Sequence, residues 1–178
     1  MIYKFRVILD ADEDVFRDIA IEDSATLEDL NNTIINAFGF DGTEMASFYT
    51  CDNQWNQEDE IPLFDTGDVE GEMSTMKDFV LSDVLHEDQT KIIYVYDFFQ
   101  MWTFLVELGA VEAPADGETY PALLFAHGIL PDAAPDKEFD VDDLSGLADE
   151  DDGFDEDDFD DFHDESGYED YGFEENWN

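Results

Sequence analysis

Asp97 is the carboxylate best framed for chemistry, since it stands between Tyr96 and Phe98 with Trp102 close behind. An aspartate in an aromatic setting could serve as a general base or a ligand-binding group if a His, Ser or Lys worked with it. None lies near it in sequence. An aspartate between two strands also has a structural use, which is to accept backbone N–H bonds in a tight turn. That use is the favoured reading. Trp102 could line a ligand groove, but it falls in the apolar run Met101–Leu108, where an aromatic belongs to a core. Tyr96, Asp97, Phe98 and Trp102 therefore form the candidate cleft or bend, with the bend preferred.

The other reactive side chains do not converge. His86, His127 and His163 stand singly, without the close spacing that places two imidazoles on one metal. The single Cys51 excludes an intrachain disulfide and a Cys-pair zinc site, and reads as a small buried residue. No phosphate-binding glycine loop, nucleophile elbow or Cys-His pairing is found. The sequence predicts a protein that is not an enzyme, and no cofactor is expected.

Charge is the strongest compositional feature. Asp+Glu number 50 against Lys+Arg 6, for a formal net charge of −44. The run from Asp149 to Glu165 is the densest stretch of acids. A calcium loop would need alternating oxygen ligands, a glycine at its sixth place and a glutamate at its twelfth. With Gly153 sixth, Ala148 falls first, and the template fails. Direct binding to nucleic-acid phosphates is disfavoured, because that affinity comes from Lys and Arg. Anionic membrane surfaces are disfavoured for the same reason, and no apolar run reaches the ~18 residues of a membrane span. Basic protein surfaces and, weakly and without specificity, divalent cations are the natural partners. The opening Met-Ile-Tyr-Lys reads as a strand and not as a signal peptide, so a cytoplasmic location is expected.

The acids after Pro131 are interleaved with Phe154, Phe159, Phe162, Tyr168, Tyr171, Phe173 and Trp177. Acidic segments with regular aromatics resemble recognition segments, in which charge steers a basic partner and the rings anchor it. A tail serving solubility alone gains nothing from exposed Phe and Trp. These seven aromatics are the candidate partner-binding residues.

The elements that position these groups are marked by periodicity. Tyr3, Phe5, Val7 and Leu9 alternate with polar residues, and Val15 to Ile21 returns, which predicts a hairpin. Thr26 with Asp29 makes a capping box before Leu27, Leu30, Ile34 and Phe38, and Gly39 sits where a C-terminal cap belongs. A helix over 27–38 follows. Strands are predicted from Met45 to Cys51, Ile92 to Tyr96, Met101 to Leu108 and Tyr120 to Phe125. A short helix or turn is predicted over 82–85, an irregular excursion over 58–75 and a loop over 109–117. The result is an α+β domain over residues 1–130, with an opening β-hairpin and one capped helix on a largely antiparallel sheet. Residues 131–178 are expected to form a disordered acidic tail.

Tyr94-Val-Tyr-Asp97-Phe98, with Trp102 and Glu107 following, resembles the signature of the plasmid Ri open-reading-frame-three family, often described as insertion-element passenger TnpR-like proteins. That family runs Tyr-x-Tyr-Asp-Phe-Gly-Asp-x-Trp-x-His. The helix entrance Thr26 to Leu30, the exit Phe38-Gly39-Phe40 and the segment Leu81 to Leu85 also agree, so the likeness spans about Tyr3 to Phe125. Phe99-Gln100 replaces Gly-Asp, Phe104 replaces the His, and the later Pro-Pro-Glu-Asp-x-x-Gly segment is missing. The resemblance implies a fold and brings no activity with it. A small-molecule or enzymatic cleft near Asp97 and Trp102 is the alternative reading.

Overall fold

A computed structural model describes residues 1–136. Strands β1 (Ile2–Leu9) and β2 (Phe16–Glu22) form the opening hairpin, and helix α1 (Leu27–Phe38) follows. Strands β3 (Ala46–Cys51) and β4 (Gln57–Pro62) come next, then a 3-10 turn at Met76–Asp78 and the short helix α2 (Leu81–Val84). The described chain is completed by β5 (Lys91–Tyr96), β6 (Trp102–Glu112) and β7 (Ala122–His127). All seven strands join one sheet in the order β4-β3-β5-β6-β1-β2-β7, and every pairing is antiparallel.

Helix α1 begins and ends where its cap residues require. Thr26 Oγ1 accepts from Asp29 N at 3.2 Å, and Asp29 Oδ2 accepts from Thr26 N at 2.9 Å. Gly39 adopts φ 79, and both Gly39 N and Phe40 N donate to Ile35 O at 3.0 Å. Leu27, Leu30, Ile34 and Phe38 then face the sheet and meet Phe5, Val7, Ile19, Phe48, Tyr94 and Phe104 in one core. The buried Tyr94 hydroxyl donates to Asn31 Oδ1 at 2.7 Å, which ties the helix to β5. Burial pushes that phenol far above its ordinary pKa.

Two expectations are corrected. The segment 57–62, expected to fall largely within an irregular excursion, is strand β4. Its exposure hid it, because Gln57, Glu58, Asp59 and Glu60 are all exposed, while Gln57 and Glu60 pair with β3 on either side of an irregularity. Strand β6 also continues to Glu112 in place of the expected loop from Gly109. A bulge between Lys4 and Phe5 lets Ala110, Val111 and Glu112 keep pairing with β1. Leu130 and Ala134 pack partly buried against the core.

Candidate functional site

Asp97 occupies the corner between β5 and β6 in the left-handed region, φ 58, and so does Met101. Asp97 N donates to Met45 O at 2.8 Å, and Met101 N donates to Asp97 O at 2.6 Å. Its side-chain Oδ1 accepts from Phe99 N at 3.0 Å and more weakly from Gln100 N at 3.4 Å. The carboxylate is thus spent on holding two non-glycine residues in sparsely populated backbone conformations. Trp102 is 4% exposed, with its ring 5.4 Å from Phe40. Tyr96 stacks on Phe40 at 4.5 Å, donates to Asp41 Oδ1 at 2.9 Å and accepts from Gly42 N at 3.1 Å. Hydrogen bonds from the Thr43 amide and hydroxyl, then from Tyr96, hold the Asp41 carboxyl below the ordinary range. Burial first, and the Asp41 carboxylate second, raise the Tyr96 phenol.

The bend presents apolar side chains outward. Phe98 and Met101 are half-exposed, and Phe99 is 99% exposed. Phe98 therefore departs from its companions: Tyr96, Asp97 and Trp102 are buried in or under the turn, while Phe98 is on its outer surface. His86 is in a tight turn and accepts from Asp88 N at 3.3 Å, whereas His127 is at the end of β7, stacked on Phe16 at 5.1 Å. Cys51 is buried beside Ile93 and Val95, and burial, then Asp52 and Glu58, raise its thiol pKa. Among the described residues no three His, Cys, Asp or Glu side chains converge as metal ligands. Phe154, Phe159, Phe162, Tyr168, Tyr171, Phe173 and Trp177 lie outside the described residues.

A second surface was not anticipated from the sequence. Strand β7 is one edge of the sheet, and Leu123, Leu124 and Phe125 are each about half exposed there. The other edge, β4, carries Glu58, Asp59, Glu60 and Pro62, the charges and proline that discourage a further strand from pairing. Between Ala122 and His127 there is no Asp, Glu, Lys, Arg or Pro. Helix α1 leaves this side of the sheet uncovered, so a groove runs between the helix and β7. A concavity of about 440 Å³ is walled by Glu22, Asp29, Asn32, Asn36, Tyr120 and Pro121. A smaller one of about 170 Å³ has Ile19, Ala37 and Leu123 in its lining. The two share Thr33, Asn36 and Pro121 and therefore adjoin.

Arg17 fixes the β7 wall in place. Its side chain is buried, and among the described residues it has no carboxylate partner. Nε donates to Ala37 O at 3.2 Å, at the C-terminal end of α1, where a cation is favoured. Nη1 donates to Phe16 O and His127 O at 2.8 Å each, with Gly128 O at 3.3 Å. The guanidinium carbon lies 4.8 Å from the Phe38 ring centroid. Desolvation lowers the Arg17 pKa, but the group stays charged because its ordinary value is so high. One side chain thus joins β2, the end of α1 and the end of β7.

These features define a class: an α+β domain in which one capped helix half-covers an antiparallel sheet, with an aromatic Tyr-Asp-Phe corner and an unprotected final strand. Residues 1–148 match the plasmid pRiA4b ORF-3-like protein family, and the chain belongs to that family. A crystal structure of the protein of unknown function MM3350 from Methanosarcina mazei Go1 is similar, with a TM-score of 0.61 and 21% identity. The likeness covers 70% of this chain and 68% of that one, and it speaks for the fold alone. No curated protein matches the chain.

Proposed function

We propose that the protein is a non-enzymatic interaction module that binds a basic protein surface, of the kind nucleic-acid-binding proteins present. The observation that carries this reading is how the few cations are used. Lys4 pairs with Glu112 at 2.6 Å and Arg6 with Asp18 at 2.8 Å. Arg17 is spent on backbone carbonyls, and Lys91 on Asn53 O and the Trp55 ring. Most of the 50 acids therefore have no internal counter-charge. Such a surface attracts cationic partners and speeds their encounter. Phe154, Phe159, Phe162, Tyr168, Tyr171, Phe173 and Trp177 supply apolar anchors to the acidic segment. A small-molecule or enzymatic cleft at Asp97 and Trp102 gains no support from a carboxylate committed to backbone amides and an indole beneath Phe40.

The test is affinity capture from host lysate with the full-length protein and with a variant whose seven tail aromatics are changed to Ser, leaving every charge in place. Basic proteins should be retained by the native chain, released by raised salt and lost from the variant. Equal retention by both proteins would remove the aromatics from the account. Capture of no basic protein by either would refute the reading.

A further inference from the structure

We propose that β7 and the groove beside α1 bind an extended segment of the basic partner by strand addition, a mode that rests on the reading above. Three observations converge on this surface. The first is backbone: among the described residues β7 pairs with β2 on one side only, and its other row of N–H and C=O groups is a template for a further strand. The second is apolar surface. Leu123 pairs across from the buried Ile19, so both point to the helix side of the sheet, and Leu123 is left 52% exposed where α1 does not reach. The third is charge. Glu22 and Asp29 line the larger concavity, and no Lys or Arg lines either one.

The occupant follows from that chemistry. In an added strand, alternate side chains face the groove. An apolar one would rest against Leu123, Ile19 and Ala37, and a Lys or Arg further along would lie near Glu22 and Asp29. Asn32 and Asn36, exposed on α1, offer hydrogen bonds across the groove. A second copy of this chain fits less well. It would bring an uncharged β7 together with another −44 of charge, leaving Glu22 and Asp29 without counter-ions. Arg17 holds the end of β7 firmly, so the edge is ordered before a partner arrives, which lowers the entropic cost of binding.

The test uses the full-length, 15N-labelled protein titrated with the capped peptide Thr-Val-Thr-Lys-Thr-Val-Thr, which places Val and Lys on one face. Amide shifts should saturate and cluster at residues 119–127 and 29–36. Changing the peptide Lys to Glu, or its central residue to Pro, should weaken binding at least tenfold. Leu123→Lys and Asn36→Arg, both at exposed positions, should each do the same in the protein. Absence of saturable binding at millimolar peptide, or shifts clustered at β4, would overturn the proposal. So would a β7-mediated dimer in sedimentation without peptide, because the occupant would then be a second copy. If a basic partner is captured equally by native protein, Leu123→Lys and Asn36→Arg, strand addition fails while the interaction role stands. If no basic partner is captured, the interaction role itself has failed.

Discussion

Replacing Arg17 with Met isolates the device that holds β7 to the rest of the fold. Methionine keeps an unbranched apolar stem of similar reach and removes every donor. Ala37 O, Phe16 O and His127 O then lose that donor, and the weaker bond to Gly128 O goes too. These acceptors are only part-buried, so each lost bond costs about 0.5–1.5 kcal/mol. Loss of the cation over Phe38 adds roughly 0.5–1 kcal/mol. Removing a desolvated charge returns part of this, so a net destabilisation of about 2–4 kcal/mol is expected. With a urea slope of about 2 kcal/mol/M for a domain of this size, the unfolding midpoint should fall by roughly 1–2 M. Amide exchange should quicken most in β7, where the anchoring is lost. Arg17→Lys keeps the charge but cannot fork across two elements, and should recover less than half of the difference. A midpoint shift worth under about 0.5 kcal/mol, with β7 exchange unchanged, would refute the role given to Arg17.

Gly128 sits at φ 77, and a Cβ there would run into Asp14 O and come within 3.0 Å of Val15 Cα. Gly128→Ala should therefore cost on the order of 2 kcal/mol or more in urea unfolding, and a neutral result would contradict the close approach. The Asp41 carboxyl should titrate below the free-aspartate value of about 3.9 in carbon-detected NMR. Because its folded pKa is depressed, the stability it contributes is present above that value and fades as pH falls through the folded pKa. A midpoint at or above the free value would contradict the hydrogen bonds from Thr43 and Tyr96. Cys51 should resist a thiol reagent at pH 8 in the native protein and react at once in urea, since it is buried with a raised pKa. Equal rates in the two states would contradict its placement.

What could be read from the chain was set by local physics. Helix α1 was fully legible because its cap, its periodicity and its terminal glycine agree within a few residues. The hairpin was legible because one face of it is apolar, and β5 because it is a short continuous apolar, β-branched and aromatic run buried on both faces. Strand β4 was not, because an edge strand with four exposed polar residues has no period-two contrast. The end of β6 looked like a loop because Gly109 and Ala110 are poor strand formers; Gly109 is the extra residue of the bulge, and pairing with β1 resumes at Ala110. Asp97 showed its turn chemistry in its neighbours, but the positive φ at Asp97 and Met101 did not show, since glycine is the usual signal for it. The groove depends on β7 docking on β2 more than a hundred positions earlier in the chain, and on where α1 stops covering the sheet. No local pattern encodes either. The one available signal was the uncharged run Ala122–His127 in so acidic a chain.

The central claim is that this acidic protein works by binding a basic one. The most direct measurement is a binding isotherm between the full-length protein and the basic protein it captures, at about 0.05 M and 0.5 M salt. Saturable binding that weakens steeply with salt, and that survives only with the tail aromatics intact, is expected. Affinity indifferent to salt, or no measurable binding to any basic protein, would contradict it.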